Sequence, residues 1–241
     1  MSSCYRNEDP MEQVGILGTG RMGVRLALLL AQAGNKVVLG SRTPARAARI
    51  SQSLGEPLIE AGSYELAASR PVVLPAIFVR DGLFDILEPY RRLLEHKLLI
   101  DISNPFNADY SDFILPWNTS SAEQLQFRLP RSTVVGAFKN VFWEVFDAPT
   151  FDGETVSDIY VVGDDDAAKT RVMRMCTPSP FRFVDAGRLR NARTVERMTL
   201  LVGELGVRYG FFPRMNYRLL GDPWTSGQAD RLAPLLSERG R

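Results

Sequence analysis

A glycine-rich turn is the segment of this sequence whose residue types and spacing point most directly to chemistry. Gly18, Gly20 and Gly23 directly follow the apolar run Val14–Leu17 and open a leucine-rich segment with helical spacing. Gly18 permits a tight turn, Gly20 lets the backbone approach a pyrophosphate, and Gly23 lets helix and strand pack closely. The free N–H groups at the helix start favour an anion. Strand, turn and helix in this order predict a dinucleotide site, and a ligand-free glycine turn is the alternative.

The end of the second apolar run indicates which dinucleotide to expect. Lys36–Leu39 leads into a Gly-Ser-Arg segment, with no Asp or Glu where an acid would bind the ribose 2′-hydroxyl of NAD. Ser41, Arg42 and Arg46 instead offer a hydroxyl and two guanidinium groups, which suit a 2′-phosphate. The pattern therefore predicts NADP(H). The alternative is that the arginines are solvated at a helix start, which the intervening Thr-Pro pair would cap.

Three later segments should deliver residues to a nicotinamide ring, because ligands of open α/β sheets bind outside the carboxyl ends of the strands. They are Pro75–Phe78, Asp101–Asn104 and Ala137–Asn140. Apolar side chains could pack on the ring and polar ones could bond its carboxamide or ribose, with simple strand capping as the alternative for each. The expected contacts are Ala76, Ile77, Ser103, Asn104, Ala137, Lys139 and Asn140. No catalytic acid or base is evident beyond Lys139.

Other reactive side chains fit structural roles better. His96 is the only histidine and is interpreted as a surface residue, so a zinc site or a histidine-based triad is not expected. Asp164–Asp166 follows a glycine and precedes a helical pattern, which favours an N-terminal cap over a cation site. Cys176 is interpreted as a small buried residue. With Cys4, it matches neither a disulfide framework nor a metal-binding spacing, and no metal is expected.

The elements that must position these residues alternate along the chain. Short, mostly continuous apolar runs suit strands buried on both faces, and helical stretches between them imply parallel βαβ units. The expected strands are Val14–Leu17, Lys36–Leu39, Val72–Phe78, Lys97–Ile102, Thr133–Phe138, Ile159–Val162 and Phe181–Val184. The expected helices are Gly20–Ala33, Ala45–Ser53, Ser63–Ala68, Asp81–Glu95, Asp166–Cys176 and Leu189–Val207, while Asn104–Arg131 is expected to be a crossover or lid-like loop.

This order predicts a Rossmann-type α/β fold, doubly wound, with a mostly parallel sheet and a C-terminal helical extension. The expected division is a dinucleotide-binding domain over residues 1–187, a helical extension over 188–220 and a polar tail over 221–241.

The charge and hydropathy of the sequence limit the kinds of partner that the protein is expected to bind. Lys and Arg total 29 against 28 Asp and Glu, so the net field gives no reason to expect nucleic acid or an anionic membrane. No apolar run approaches the length of a membrane span, and the first dozen residues lack the apolar stretch of a signal peptide. A cytoplasmic location is expected, because the two cysteines fit a reducing compartment.

Four groups of residues are similar to segments of a known protein family. They are Ile16–Gly20 with Gly40–Arg42, Ile100–Asn104 with Val134–Phe138, Val162–Asp166, and Asp185–Gly187 with Asn191, Val195, Glu196 and Gly203–Gly206. Over about Gln13 to Gly210 the sequence resembles the NADPH-dependent reductases of coenzyme F420 and the soluble domain of the STEAP metalloreductases. The resemblance implies a Rossmann-type domain, often in a homodimer. It also implies an NADP site at Thr19, Gly20, Arg21, Met22, Ser41, Arg42 and Arg46.

The departures from that family concern the substrate side of the site. Where the F420 reductases carry a His-Thr-Ile-Pro stretch near the nicotinamide, this chain has Lys139–Phe142, and Phe78 replaces a His or Pro. The leading hypothesis is an oxidoreductase that moves hydride between NADP(H) and a deazaflavin (coenzyme F420) or a flavin (FMN or FAD), since such transfer needs positioning more than acid–base groups.

Two alternatives remain open at this level. One is a small-molecule imine or carbonyl reductase in which Lys139 or a tyrosine donates a proton. The other is a non-catalytic NADP(H)-sensing protein. The fold alone does not choose among them.

Overall fold

A computed structural model describes residues 12–221, and its centre is one eight-stranded sheet. The strands stand in the order β3-β2-β1-β4-β5-β6-β9-β10. All neighbours are parallel except β6 and β9, so β9 and β10 run opposite to the other six. The strands are β1 (Gln13–Leu17), β2 (Lys36–Ser41), β3 (Ile59–Ser63), β4 (Val72–Pro75), β5 (Leu98–Asp101) and β6 (Thr133–Gly136), then β7 (Thr150–Phe151) and β8 (Thr155–Val156), which form a separate hairpin, and β9 (Asp158–Gly163) and β10 (Arg182–Asp185).

Helices cover both faces of the sheet. They are α1 (Arg21–Gln32), α2 (Pro44–Leu54), α3 (Tyr64–Ala68), α4 (Leu83–Leu87), α5 (Arg91–Leu94), α6 (Ser121–Arg128), α7 (Trp143–Asp147), α8 (Asp166–Met175) and α9 (Ala192–Tyr209). Short 3₁₀ turns occupy Val79–Asp81, Glu88–Tyr90 and Leu189–Asn191. No helix within residues 12–221 is long and apolar enough to cross a membrane.

The core lies on both sides of the sheet, because successive strand residues point to opposite faces. Val14 and Ile16 of β1 join a cluster with residues of α1 and α8, whereas Leu17 joins a second cluster with residues of α6 and α9. All residues of β4 and β5 are buried, as the continuous apolar runs predicted. The expected fold class is therefore confirmed.

The element predictions missed α7 and the β7–β8 hairpin, and two further differences have clear physical reasons. β3 was missed, since Glu60 is exposed and Gly62 interrupts the apolar residues, as suits the edge strand that β3 is. The single helix expected over Asp81–Glu95 is broken into α4 and α5, because Gly82 adopts a φ of 86° and Pro89 cannot extend the hydrogen-bond ladder.

Other segments refine the expectations. The run Val72–Phe78 is strand only as far as Pro75, and the connection 104–131 contains α6. The helical extension is present as α9, after which residues 210–221 continue without helix and form hydrogen bonds to the start of β9. Residues 222–241 of the expected polar tail lie outside the described residues, and the division into domains stays a prediction.

Candidate dinucleotide site

The glycine turn sits where the strand order reverses, between β1 and β4, which is where open α/β sheets bind ligands. Gly18 adopts a φ of 131° and its N–H donates to the carbonyl of Gly40 at 3.0 Å. A Cβ on Gly18 would lie 2.5 Å from the carbonyl oxygen of Ala76, and one on Gly23 would lie 2.2 Å from that of Gly18. Both glycines are therefore required by the protein's own packing.

Gly20 is different, because a Cβ there would meet no atom within 4 Å. Its φ of −82° is open to any residue, so neither space nor backbone conformation demands glycine. Gly20 is the N-cap of α1, which has no side-chain cap and no acidic residue in its first turn. The first N–H groups of α1 thus face an open cradle with a positive local field, which fits a pyrophosphate.

The end of β2 lies beside this cradle. The Arg46 Nε donates to the Thr19 Oγ1 at 2.9 Å, so this arginine bridges α2 to the glycine turn and is not simply solvated. Ser41 is buried and its Oγ accepts the N–H of Thr43 at 3.1 Å. Arg42 is exposed and close to Tyr64, where it opposes the burial that raises the pKa of that phenol. A hydroxyl and two guanidinium groups thus border the cradle, as a 2′-phosphate would need.

The other half of the site lies at the ends of β4 and β5. Ala76 and Ile77 are half-buried, and the Ser103 Oγ donates to the carbonyl of Ile77 at 2.7 Å. The Asn104 Nδ2 donates to the carbonyl of Lys139 at 2.7 Å, whereas the Oδ1 is buried without a partner. An unpaired buried acceptor is costly, so this oxygen suits a donor that a ligand would bring, such as a carboxamide N–H.

Asn140 does not offer its side chain to a cofactor. It is fully buried, and its Nδ2 donates to the carbonyl of Asp158 at 2.8 Å and to the Asn216 Oδ1 at 3.0 Å. Its Oδ1 accepts the N–H of Tyr160 at 3.1 Å. The side-chain amide of Asn140 thus joins the segment after β6 to β9 and to the segment after α9, and a cofactor contact at this residue stays a prediction.

Lys139 is likewise internal, with a fully buried side chain. Its Nζ lies 2.7 Å from the Asp101 Oδ2, 2.9 Å from the Glu196 Oε1 and 2.5 Å from the carbonyl oxygen of Ser103. Three acceptors match the three N–H bonds of an ammonium group. The two carboxylates outweigh burial and raise the pKa of Lys139. The expected role of this lysine as a proton donor to substrate is thus not supported by its placement.

Glu196 was not among the expected site residues. It lies on the buried face of α9, where burial raises its pKa to about 7 against the opposing charge of Lys139. Its carboxylate also accepts the N–H groups of Ser121 at 3.1 Å and Ala122 at 3.4 Å, at the start of α6. Of the two acids in α9, Glu196 is the one that shares a face with the apolar residues, and this was the sequence signal that could have found it.

An aromatic group also escaped the sequence reasoning. The guanidinium of Arg80 lies 4.6 Å from the ring centre of Phe78 and 4.0 Å from that of Tyr110, and it also bonds the carbonyl of Asn107. Phe106 packs against Tyr110 with ring centres 5.4 Å apart. These side chains form a rim just beyond the end of β4, with both Phe78 and Tyr110 partly exposed.

Arg21 and Met22 begin α1 beside the open cradle. Arg21 is exposed and its guanidinium lies 4.8 Å from the ring centre of Trp143, on α7, while Met22 packs partly buried against the core. Ala137 is fully buried in that core. The structure thus brings the expected residues of the glycine turn, β2 and β4 to one edge of the sheet, while Ala137 lies beneath that edge.

Comparison with known proteins fits this geometry. Residues 13–105 match the family model described as NADP oxidoreductase, coenzyme F420-dependent. The F420-dependent NADP reductase of Methanocaldococcus jannaschii is 30% identical, over 82% of this chain and 93% of that protein. This chain belongs to the F420-dependent NADP reductase family. It is therefore an oxidoreductase that uses NADP(H), as the glycine turn and the end of β2 predicted.

The resemblance to the metalloreductases is also found. The rat metalloreductase STEAP3 is 34% identical over 78% of this chain, but the match spans only 36% of that longer protein. The reductase family fold is shown by a crystal structure from Arthrobacter sp. FB24, provisionally described as an F420-dependent NADP reductase. It has a TM-score of 0.73 and 24% identity, covering 88% of this chain and all of the other.

Proposed function

We propose that this family member moves hydride between NADP(H) and a flat redox cofactor, coenzyme F420 or a flavin. The observation that carries this is the state of Lys139, which the sequence offers beside an unspecified tyrosine as a proton donor. Its Nζ is buried and fully bonded. Hydride exchange between two ring systems needs alignment of the rings more than a proton donor from the protein. The proposal therefore assigns the protein the task of positioning.

In this proposal, one group of residues binds the phosphates of the cofactor and another binds its nicotinamide. The open N-terminus of α1 at Gly20 would hold the pyrophosphate, with Arg42 and Arg46 on the 2′-phosphate. The nicotinamide would lie against Ala76 and Ile77, with the unpaired Asn104 Oδ1 accepting its carboxamide. The nicotinamide supplies or accepts the hydride.

The acceptor side is supported by the aromatic rim. Phe78 and Tyr110 offer ring surface next to the half-buried Ala76 and Ile77, and Arg80 between them carries a positive charge. Such a surface suits a planar, anionic partner. The proposed partner is a free redox cofactor or small molecule, and the proposed assembly is a homodimer.

The experiment is stopped-flow oxidation of NADPH by coenzyme F420, FMN and FAD in parallel, with NADH as the control donor. We expect NADPH to be oxidised faster than NADH and one class of acceptor to dominate. If NADPH binds but none of the three is reduced, hydride exchange is refuted, and a small-molecule substrate or a sensing role takes its place.

The same assay tests the cofactor assignment with a matched pair of variants. Arg42→Ala should weaken NADPH binding about tenfold to a hundredfold and leave NADH unchanged, because one charge-assisted bond is worth roughly 1.5–3 kcal/mol. Arg49→Ala removes the same charge from an exposed position on α2 and should bind NADPH as the wild type does. Equal losses in the two variants would contradict phosphate recognition by Arg42.

A further inference from the structure

Lys139, Asp101 and Glu196 form a buried group of charges that is larger than the capping of a strand end requires. It joins the end of β5, the segment after β6 and the first half of α9 through one ammonium group. Both carboxylates are as buried as the lysine, with side-chain exposures of 0% and 2%. Apolar residues of the same volume would usually be at least as stable, so stability alone does not account for three buried charges.

The backbone of Lys139 extends this group to the expected nicotinamide contacts. Its carbonyl accepts both the Asn104 Nδ2 and the Thr199 Oγ1, each at 2.7 Å. The Ser103 carbonyl accepts from the Lys139 Nζ at 2.5 Å, while the Ser103 Oγ donates to Ile77. Lys139 therefore fixes both ends of the short segment that carries Ser103 and Asn104, and through it the end of β4.

We infer that Lys139, Asp101 and Glu196 are positioning residues that hold Asn104 and Ile77 against the nicotinamide half of the cofactor. The inference rests on the proposed function, since it takes the nicotinamide to lie at the ends of β4 and β5. None of the three touches the cofactor. They act through the backbone of Ser103 and the side chain of Asn104, whose Oδ1 is left unpaired within the described residues.

Glu196→Gln is the variant that tests this, because it removes one charge and keeps a side chain that can accept from Ser121. The remaining Lys139–Asp101 pair is neutral, so this variant should fold, whereas Lys139→Met would leave two unpaired buried carboxylates. Glu123→Gln is the matched control. It breaks another ion pair between α6 and α9, with Arg193, at a more exposed site.

Binding of two ligands separates the nicotinamide half from the rest. NADPH contains both halves, whereas adenosine 2′,5′-bisphosphate lacks the nicotinamide. We expect Glu196→Gln to bind NADPH about threefold to tenfold more weakly, because poorer alignment would weaken one or two hydrogen bonds to the nicotinamide half. The variant should bind the bisphosphate as the wild type does. Glu123→Gln should leave both affinities unchanged.

The pH dependence supplies a readout that a purely structural role would not move. Besides Lys139 and Asp101, the groups facing Glu196 are the first N–H groups of α6, with the Arg193–Glu123 pair nearby. Since burial raises the pKa of Glu196 to about 7, the wild type should resemble Glu196→Gln at pH 6 and bind NADPH more tightly than the variant at pH 8. The bisphosphate, measured at each pH, corrects for titration of the 2′-phosphate itself.

As the pH rises, the stability of the wild-type protein should fall while its affinity for NADPH, relative to that of Glu196→Gln, increases. The folded protein raises the pKa of Glu196 above its value of 4.5 in the unfolded chain, so wild-type stability is lost as the pH rises from about 4.5 to about 7. Glu196→Gln lacks this loss and should unfold at equal or higher urea concentration at pH 8. Weaker NADPH binding in a protein that is no less stable would support positioning.

Several results would overturn the inference. Unchanged NADPH affinity in Glu196→Gln would reduce the group to a structural one, and an equal loss for both ligands would show a general disturbance. Wild-type protein that binds the bisphosphate as tightly as NADPH would refute the nicotinamide contact, whatever the variants do. Tight NADPH binding without reduction of any acceptor would refute the proposed hydride exchange but leave the positioning inference standing.

Discussion

At the scale of single residues, the structure distinguishes different roles for the three glycines of the turn. Gly18 and Gly23 are needed because a side chain would strike backbone atoms at 2.5 Å and 2.2 Å, whereas Gly20 borders open space. A glycine that the protein's own packing does not demand is expected where a ligand approaches the backbone. Gly18 and Gly23 therefore build the turn, and Gly20 is the glycine that we propose for contact with the cofactor.

Alanine substitutions should separate these roles. Gly20→Ala is expected to change the free energy of unfolding by no more than about 1 kcal/mol while weakening NADPH binding by at least about tenfold, or 1.4 kcal/mol. Gly23→Ala is expected to lower the free energy of unfolding by about 1–3 kcal/mol through overpacking. Urea unfolding and fluorescence titration with NADPH measure the two quantities. If Gly20→Ala bound NADPH normally, the cradle at α1 would not be the pyrophosphate site.

At the scale of elements, β9 and β10 are held to the segment after α9 by a buried carboxylate. Asp158, at the start of β9, accepts two bonds from Arg182 of β10, each at 2.7 Å, and the N–H of Leu219, also at 2.7 Å. The Arg182 Nη2 in turn donates to the carbonyl of Leu219. The antiparallel end of the sheet and the chain beyond Gly210 are thus one structural unit.

Asp158→Ala should loosen that unit without disturbing the cofactor site. We expect the free energy of unfolding to fall by about 2–3 kcal/mol, because three hydrogen bonds to a charged, buried carboxylate are lost, and amide exchange to accelerate at Leu219. Asp147→Ala is the control, since it removes another Arg–Asp pair, with Arg25, that is half-exposed and worth about 1 kcal/mol or less. Equal destabilisation of the two variants would contradict the argument.

At the scale of the whole molecule, several exposed large apolar side chains lie in the second half of α9 and just after it. The side chains are Leu201, Val207, Tyr209, Phe211 and Phe212, with exposures between 46% and 70%. Tyr209 and Phe211 stack on each other with ring centres 6.1 Å apart. An exposed aromatic pair with further exposed apolar side chains nearby in the chain is typical of an interface.

We expect light scattering to show a particle of twice the mass of the chain, and Val207→Glu to shift it toward the mass of one chain. A buried, unpaired carboxylate at an interface costs several kcal/mol, which is enough to raise the dissociation constant more than a hundredfold. Phe127→Glu places the same charge on an exposed apolar position of α6 and should leave the mass unchanged. A monomeric wild type would refute the homodimer.

Most of the fold and half of the site could be predicted from the sequence. The glycine turn, the end of β2 and the buried strands depend on residues that are adjacent in the chain or repeat with a fixed period. The predictions that failed depend on context. β3 is an edge strand with polar residues. The segment between Gly82 and Leu94 combines apolar residues that suit a helix with Gly82 and Pro89, which interrupt it.

The sequence alone determined the fold class, the family and the choice of NADP(H), because each depends on short contiguous motifs. Only the tertiary structure decided which polar groups at the strand ends remain available to a ligand. Lys139 and Asn140 look like ligands in the sequence, yet partners from α9, β9 and the segment beyond Gly210 occupy them. Asn104 keeps an unpaired oxygen for the same reason, since buried donors and acceptors are shared out by neighbours distant in the chain.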